Sequence, residues 1–134
     1  MQKQAAYLIA SALSAAMPAM PVIAQGGGGG QLITVELSSF KYTPATLNLQ
    51  HGVPYRLHLV NKSSRGHDFV ARRFFAAATI APEDRGKVKE GGVEVGGDEA
   101  VDVQLVVNQP GTYKLHCSHF MHSGFGMKGR IIVQ

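Results

Sequence analysis

Cys117 is the only thiol in a chain of 134 residues, with His116 directly before it and His119, Met121, His122 and Met127 following closely. Thiolate, imidazole and thioether within eleven residues make a soft donor set, the kind that prefers copper to magnesium or calcium. A lone thiol has other uses: an inert buried hydrophobe, an intermolecular disulfide, or a nucleophile. A Cys-His hydrolase would need a third, orienting residue and a deep cleft, and a domain of this size with no such residue in view supplies neither. Structural zinc usually takes four Cys and His ligands, often as close pairs, so a thioether in the set again points to copper. The expectation is a metal-binding protein without enzymatic activity.

A strand must bring Cys117 to the site. From Tyr113 to Cys117 a period of two sends Tyr113, Leu115 and Cys117 to one face and Lys114 and His116 to the other, so Cys117 ends a strand pointing inward. The residues from Ser118 to Met127 then form a loop before a final strand over Gly129 to Val133. One loop does not readily supply a complete, preorganised site, and a further ligand should come from another strand. His67 is best placed, just after Gly66 at the start of a short strand over His67 to Val70. His51 and His58 read as ordinary turn or surface residues.

Further strands are expected over Leu32 to Leu37, Thr46 to Gln50, Val53 to Val60 and Val101 to Val107, with turns at His51-Gly52 and at Asn108 to Gly111. Arg73 to Ala81, with Phe74, Phe75, Ala78 and Ile80 among alanines, reads as a short helix stopped by Pro82. Pro82 to Ala100 reads as loops with two short strands. Seven or eight short strands with one short helix indicate an all-β fold, a Greek-key β-sandwich or small barrel.

Three stretches resemble the cupredoxins, the plastocyanin, azurin and rusticyanin family of type 1 copper proteins. They are Gly66-His67-Asp68-Phe69, the run Pro110-Gly111-Thr112-Tyr113 leading into Cys117, and the Cys117, His122, Met127 ladder followed by Lys128-Gly129 and a strand. Phe40 to Pro44 is similar to the family's early strand and turn. The resemblance covers roughly residues 31–134. It implies one copper ion cycling between Cu(I) and Cu(II), with His67, Cys117 and His122 as equatorial ligands and Met127 axial. It also implies one-electron transfer to a redox partner such as a cytochrome. Electrons would leave through His122, flanked by Phe120, Met121, Gly124 and Phe125 as an apolar docking patch.

The ligand loop departs from the family pattern. Where a proline often stands between cysteine and histidine, this chain has His119, Phe120 and Met121, and His116 adds another imidazole. His119 is therefore a candidate to replace His122 or to bind a second ion. The surplus of soft donors opens a second function, copper sequestration, delivery or resistance together with other copper-handling proteins, since spare ligands help hand over Cu(I). A third reading is a β-sandwich interaction domain with an incidental cysteine.

The N-terminus predicts the compartment. Lys3 precedes an apolar run from Leu8 to Met20 that is too short and interrupted to span a bilayer, and Val22-Ile23-Ala24 suits a signal peptidase. Residues 1–24 thus read as a signal peptide for export to the periplasm, 25–30 as a flexible Gly-rich lead and 31–134 as a single domain. No Cys opens the mature chain, which argues against a lipid anchor there, and no membrane span is expected after cleavage. Exported cysteines usually pair, yet the chain offers Cys117 no second cysteine, so only its neighbours decide its use. The formal charge of +4 falls to +3 without Lys3 and is spread without a block of like charge, arguing against nucleic acid as a partner. A monomer is expected.

Overall fold

The computed structural model describes residues 29–119 and 126–134. In chain order the strands are β1 (Gln31–Ser38), β2 (Lys41–Thr43), β3 (Thr46–Leu49), β4 (Pro54–Asn61), β5 (His67–Val70), β6 (Ala78–Ile80), β7 (Gly92–Val95), β8 (Ala100–Val107), β9 (Gly111–His116) and β10 (Lys128–Val133). They form two five-stranded sheets, ordered β2-β1-β4-β8-β6 and β3-β10-β9-β5-β7. The alternation read from sequence is what pairs these sheets face to face. In β4, Tyr55, Leu57 and Leu59 are buried and Arg56 is exposed; in β9, Tyr113 and Leu115 are buried and Lys114 is exposed. Phe69, Val93, Val95, Ile131 and Val133 meet Val35, Leu37, Leu59, Val103 and Val107 in one continuous core.

The chain crosses between sheets after β2, and this crossing leaves β1 parallel to β4 and β3 parallel to β10 while the remaining ladders are antiparallel. The result is the expected sandwich, with the short strands β2 and β6 added at the two edges of the first sheet. The glycine of Lys128-Gly129 has a packing cause. A Cβ at Gly129 would lie 2.4 Å from the Ala45 carbonyl oxygen, the same oxygen that accepts from the Arg130 N–H at 2.9 Å.

The helix expected over Arg73 to Ala81 is corrected. A helix, α1, covers only Arg72–Ala76, and Ala78–Ile80 is extended as β6 against Val107, Val106 and Leu105 of β8. The Ala77 N–H closes α1 on the Arg73 and Phe74 carbonyls, and the β-branched Thr79 and Ile80 then suit the free edge of the sheet better than a helix. Phe74 and Phe75 are both buried, stacked edge to face at 5.3 Å, so α1 serves as a plug at the sandwich margin. A 3-10 segment, Pro82–Lys87, follows, and β7 is one of the short strands expected in the stretch after it. Among the described residues no helix is long and apolar enough to cross a membrane.

Candidate metal centre

Sheet alternation decides which donors face the core at the β5 and β9 end. His67, first residue of β5, is 2 % exposed; Cys117, one residue past β9, is fully buried, as is Met127, the residue before β10. The Cys117 sulfur faces His67 Nδ1 at 4.0 Å, although the two residues are fifty positions apart in sequence. Met127 is brought in by the backbone: the Cys117 N–H donates to the Met127 carbonyl at 3.1 Å, and the Lys128 N–H to the Gly126 carbonyl at 2.8 Å. Both ends of the ligand loop are therefore fastened. His122, together with Phe120, Met121, Gly124 and Phe125, lies outside the described residues. His116 is exposed and turned away from Cys117, as the period of two requires. His51 and His58 are remote, paired with the Gln134 carbonyl and the Asp102 carboxylate at 2.8 and 2.5 Å.

The arrangement fits a first-row ion. Bonds of about 2.0 Å to imidazole and about 2.3 Å to thiolate, meeting at roughly 120 to 135°, separate their donor atoms by about 3.7 to 4 Å. A sulfur and an imidazole nitrogen facing each other in a buried pocket at 4.0 Å match that span. Burial pushes the Cys117 thiol up, the backbone N–H groups of Asp68 and His119 pull it down, and the Asp68 carboxylate pushes it up again; the outcome is a pKa of about 11. A buried thiol at neutral pH thus waits protonated, and a metal that binds it must displace the proton.

Four polar side chains to which the sequence reading gave no role hold these donors. Asn61, at the end of β4 and 2 % exposed, turns its amide NH2 to the Arg65, Val95 and Gly96 carbonyls at 2.7, 3.1 and 3.0 Å, its two hydrogens shared among the three acceptors. It also accepts from the Ser63 N–H and hydroxyl, so one amide holds the loop before His67 against the end of β7. The β5–β9 ladder pairs Val70 with His116. Toward the site the Asp68 carboxylate takes over, accepting from the Ser118 N–H at 2.6 Å and from the Ser118 hydroxyl. Tyr42, from the opposite sheet, donates its hydroxyl to the Asp68 carbonyl at 2.6 Å and packs edge-on to Phe69 at 5.9 Å. Burial, reinforced by Cys117 and Asp68, holds the Tyr42 phenol well above its usual pKa, so it remains a donor. An Asn at the end of an apolar strand and a Tyr in the short stretch from Phe40 to Pro44 were the available signals. Each reads equally well as a surface residue until the partner strand is known.

The profile of the cupredoxin-like domain matches residues 5–133. The chain belongs to the cupredoxin-like family. Its fold agrees with solved cupredoxin-like structures. Dithionite-reduced auracyanin from the photosynthetic bacterium Roseiflexus castenholzii superposes with a TM-score of 0.60 at 17% identity, over 80% of this chain and 99% of that one. Auracyanin B gives 0.59 at 18% identity, over 81% and 92%. At such identities the likeness establishes the sandwich alone. No curated protein sequence matches the chain significantly. As a cupredoxin-like domain, the protein places the His67, Cys117 and Met127 of its resemblance in one buried corner.

Proposed function

We propose that this protein is a periplasmic one-electron carrier with a type 1 copper site formed by His67, Cys117, His122 and Met127. The observation that carries the reading is the buried Cys117 sulfur facing His67 Nδ1 at 4.0 Å, with buried Met127 tied to Cys117 through the backbone. Membership in the cupredoxin-like family supports copper binding and electron transfer in general. Copper held there by thiolate, imidazole and a weak thioether would supply one-electron exchange between Cu(I) and Cu(II). The chain's own part is rigidity. Asn61, Asp68 and Tyr42 fix the backbone on either side of His67, and the Asp68 carboxylate holds Ser118, so the donors need not move when the charge at the site changes. His122 is the proposed solvent-edge ligand and electron exit, toward a partner such as a cytochrome. The segment 1–24 is the proposed export signal.

The test is direct. Cu(II) added to the metal-free protein develops an intense visible thiolate-to-copper band, and Cys117→Ser abolishes it while the protein stays folded. An unmodified protein that takes up Cu(II) without that band would exclude the type 1 site. A second reading, periplasmic copper sequestration or delivery, is favoured by the additional donors beside the site, where His119 Nε2 meets Glu94 at 2.9 Å. Fast reversible electron exchange with a cytochrome separates the carrier from the handling protein.

A further inference from the structure

The alternation that turns His67 and Cys117 inward turns their neighbours outward. Asp68 of β5, itself buried at 7 % exposure, lies opposite Glu94 of β7 in the ladder, and Ser118 and His119 reach this pair by hydrogen bonds to Asp68 and Glu94 respectively. One donor atom from each of Asp68, Glu94 and His119 lies within 4.8 Å of the other two. Glu94 presents both carboxylate oxygens to His119 Nε2, at 2.9 and 3.1 Å.

We propose that Asp68, Glu94 and His119 form a second cation site, one that takes a divalent, imidazole-seeking ion such as Cu(II) and is distinct from the inward donors.

Two further observations support a built site. Gly66 lies beneath it, and a Cβ there would come 3.0 Å from Glu94 Oε1 and 3.4 Å from His119 Cε1. The Gly66 backbone is outside the left-handed region, so an added methyl would act through these contacts, displacing the ends of the Glu94 and His119 side chains by a few tenths of an ångström. A cavity of about 400 Å³ also opens onto Asp68, Glu94 and Ser118, giving an ion access and room for water ligands. Arg72 and Lys89 line the same cavity together with Glu90, and Lys87 is paired with Asp84 at 2.6 Å, so the cluster itself offers two carboxylates and one imidazole. Hard ions such as Ca²⁺, drawn by carboxylate charge and number, gain little there, whereas imidazole selects for copper or zinc. The ring of His119 is 6.3 Å from that of His67, so the outer site adjoins the inner one without sharing its donors.

Copper counting by equilibrium dialysis against Cu(II), with the visible spectrum recorded alongside, tests the assignment. The unmodified protein should hold two copper ions, one of them without a thiolate band. Glu94→Gln and His119→Ala should each hold one fewer with the band intact. Gly66→Ala, which crowds the donors without removing one, should weaken the second equivalent by about tenfold. Excess Ca²⁺ should leave the count unchanged. If the Cys117 band never develops, the count should instead fall from one to none in the same variants, which separates this proposal from the type 1 reading. Variants that keep the full count, unmodified protein that never takes up the band-free ion, loss of the band together with that ion, or displacement of copper by Ca²⁺ would each overturn it.

Discussion

Raising the pH while loading copper measures what it takes to ionise Cys117. Burial lifts this thiol from 9.0 to about 11, and the ligand form is the thiolate. At pH 7 the solution is about four units below the thiol's pKa, a handicap of about 5 to 6 kcal/mol relative to a free thiolate, at about 1.4 kcal/mol per unit. Apparent copper affinity at the Cys117 site should therefore climb about tenfold per pH unit, or about a hundredfold between pH 7 and 9. Metal-free protein shows the opposite sign. Its folded state keeps the proton to a higher pH than the unfolded chain does. This contribution to stability is complete below about pH 9 and is lost as pH rises through about 11, by about 3 kcal/mol. Tyr42, also raised, acts in the same direction at still higher pH, so the difference from Cys117→Ser isolates the thiol. Copper competition against a chelator of known pH behaviour, read at the thiolate band, gives the first slope. Urea unfolding of the metal-free protein from pH 7 to about 10.5 gives the second. A flat affinity from pH 7 to 9, with no loss of apo stability above pH 9 relative to Cys117→Ser, would refute the burial argument.

Two further outcomes follow from the packing around the site. Asn61→Ala removes an amide that serves five hydrogen-bond contacts and strands buried carbonyls. It should cost about 2 to 4 kcal/mol in urea unfolding, and it should broaden the copper band by loosening the loop before His67; an unchanged midpoint would mean water replaces the amide. Gly129→Ala drives a methyl against the Ala45 carbonyl, so β10 must shift from β3. A loss of about 1 to 3 kcal/mol is expected, and a neutral change would show that this edge of the sheet yields freely.

Much of the fold was legible because strand alternation is a local property. The runs at Val53 to Val60, Val101 to Val107 and Thr112 to Cys117 carry apolar residues at a period of two, and each became a strand of nearly those bounds. The segment from Arg73 to Ala81 reads locally as one helix because alanine is permissive. Ala78–Ile80 pair as β6 with a strand more than twenty positions away, which no local pattern contains.

By itself the sequence determined the donor chemistry. One thiol, a thioether and several imidazoles at fixed spacing select a soft metal whatever the fold does with them, because ligand hardness belongs to the side chain. Alternation also set which face Cys117 and His116 would take. Tertiary structure alone decided which donors meet. The contact of His67 with Cys117, the buried amide of Asn61, the Tyr42 bond across the sandwich and the separation of His119 from the inward donors all depend on strands far apart in sequence. Sheet pairing sets those distances to within an ångström, and a hydrogen bond or a metal ligand works only over such distances.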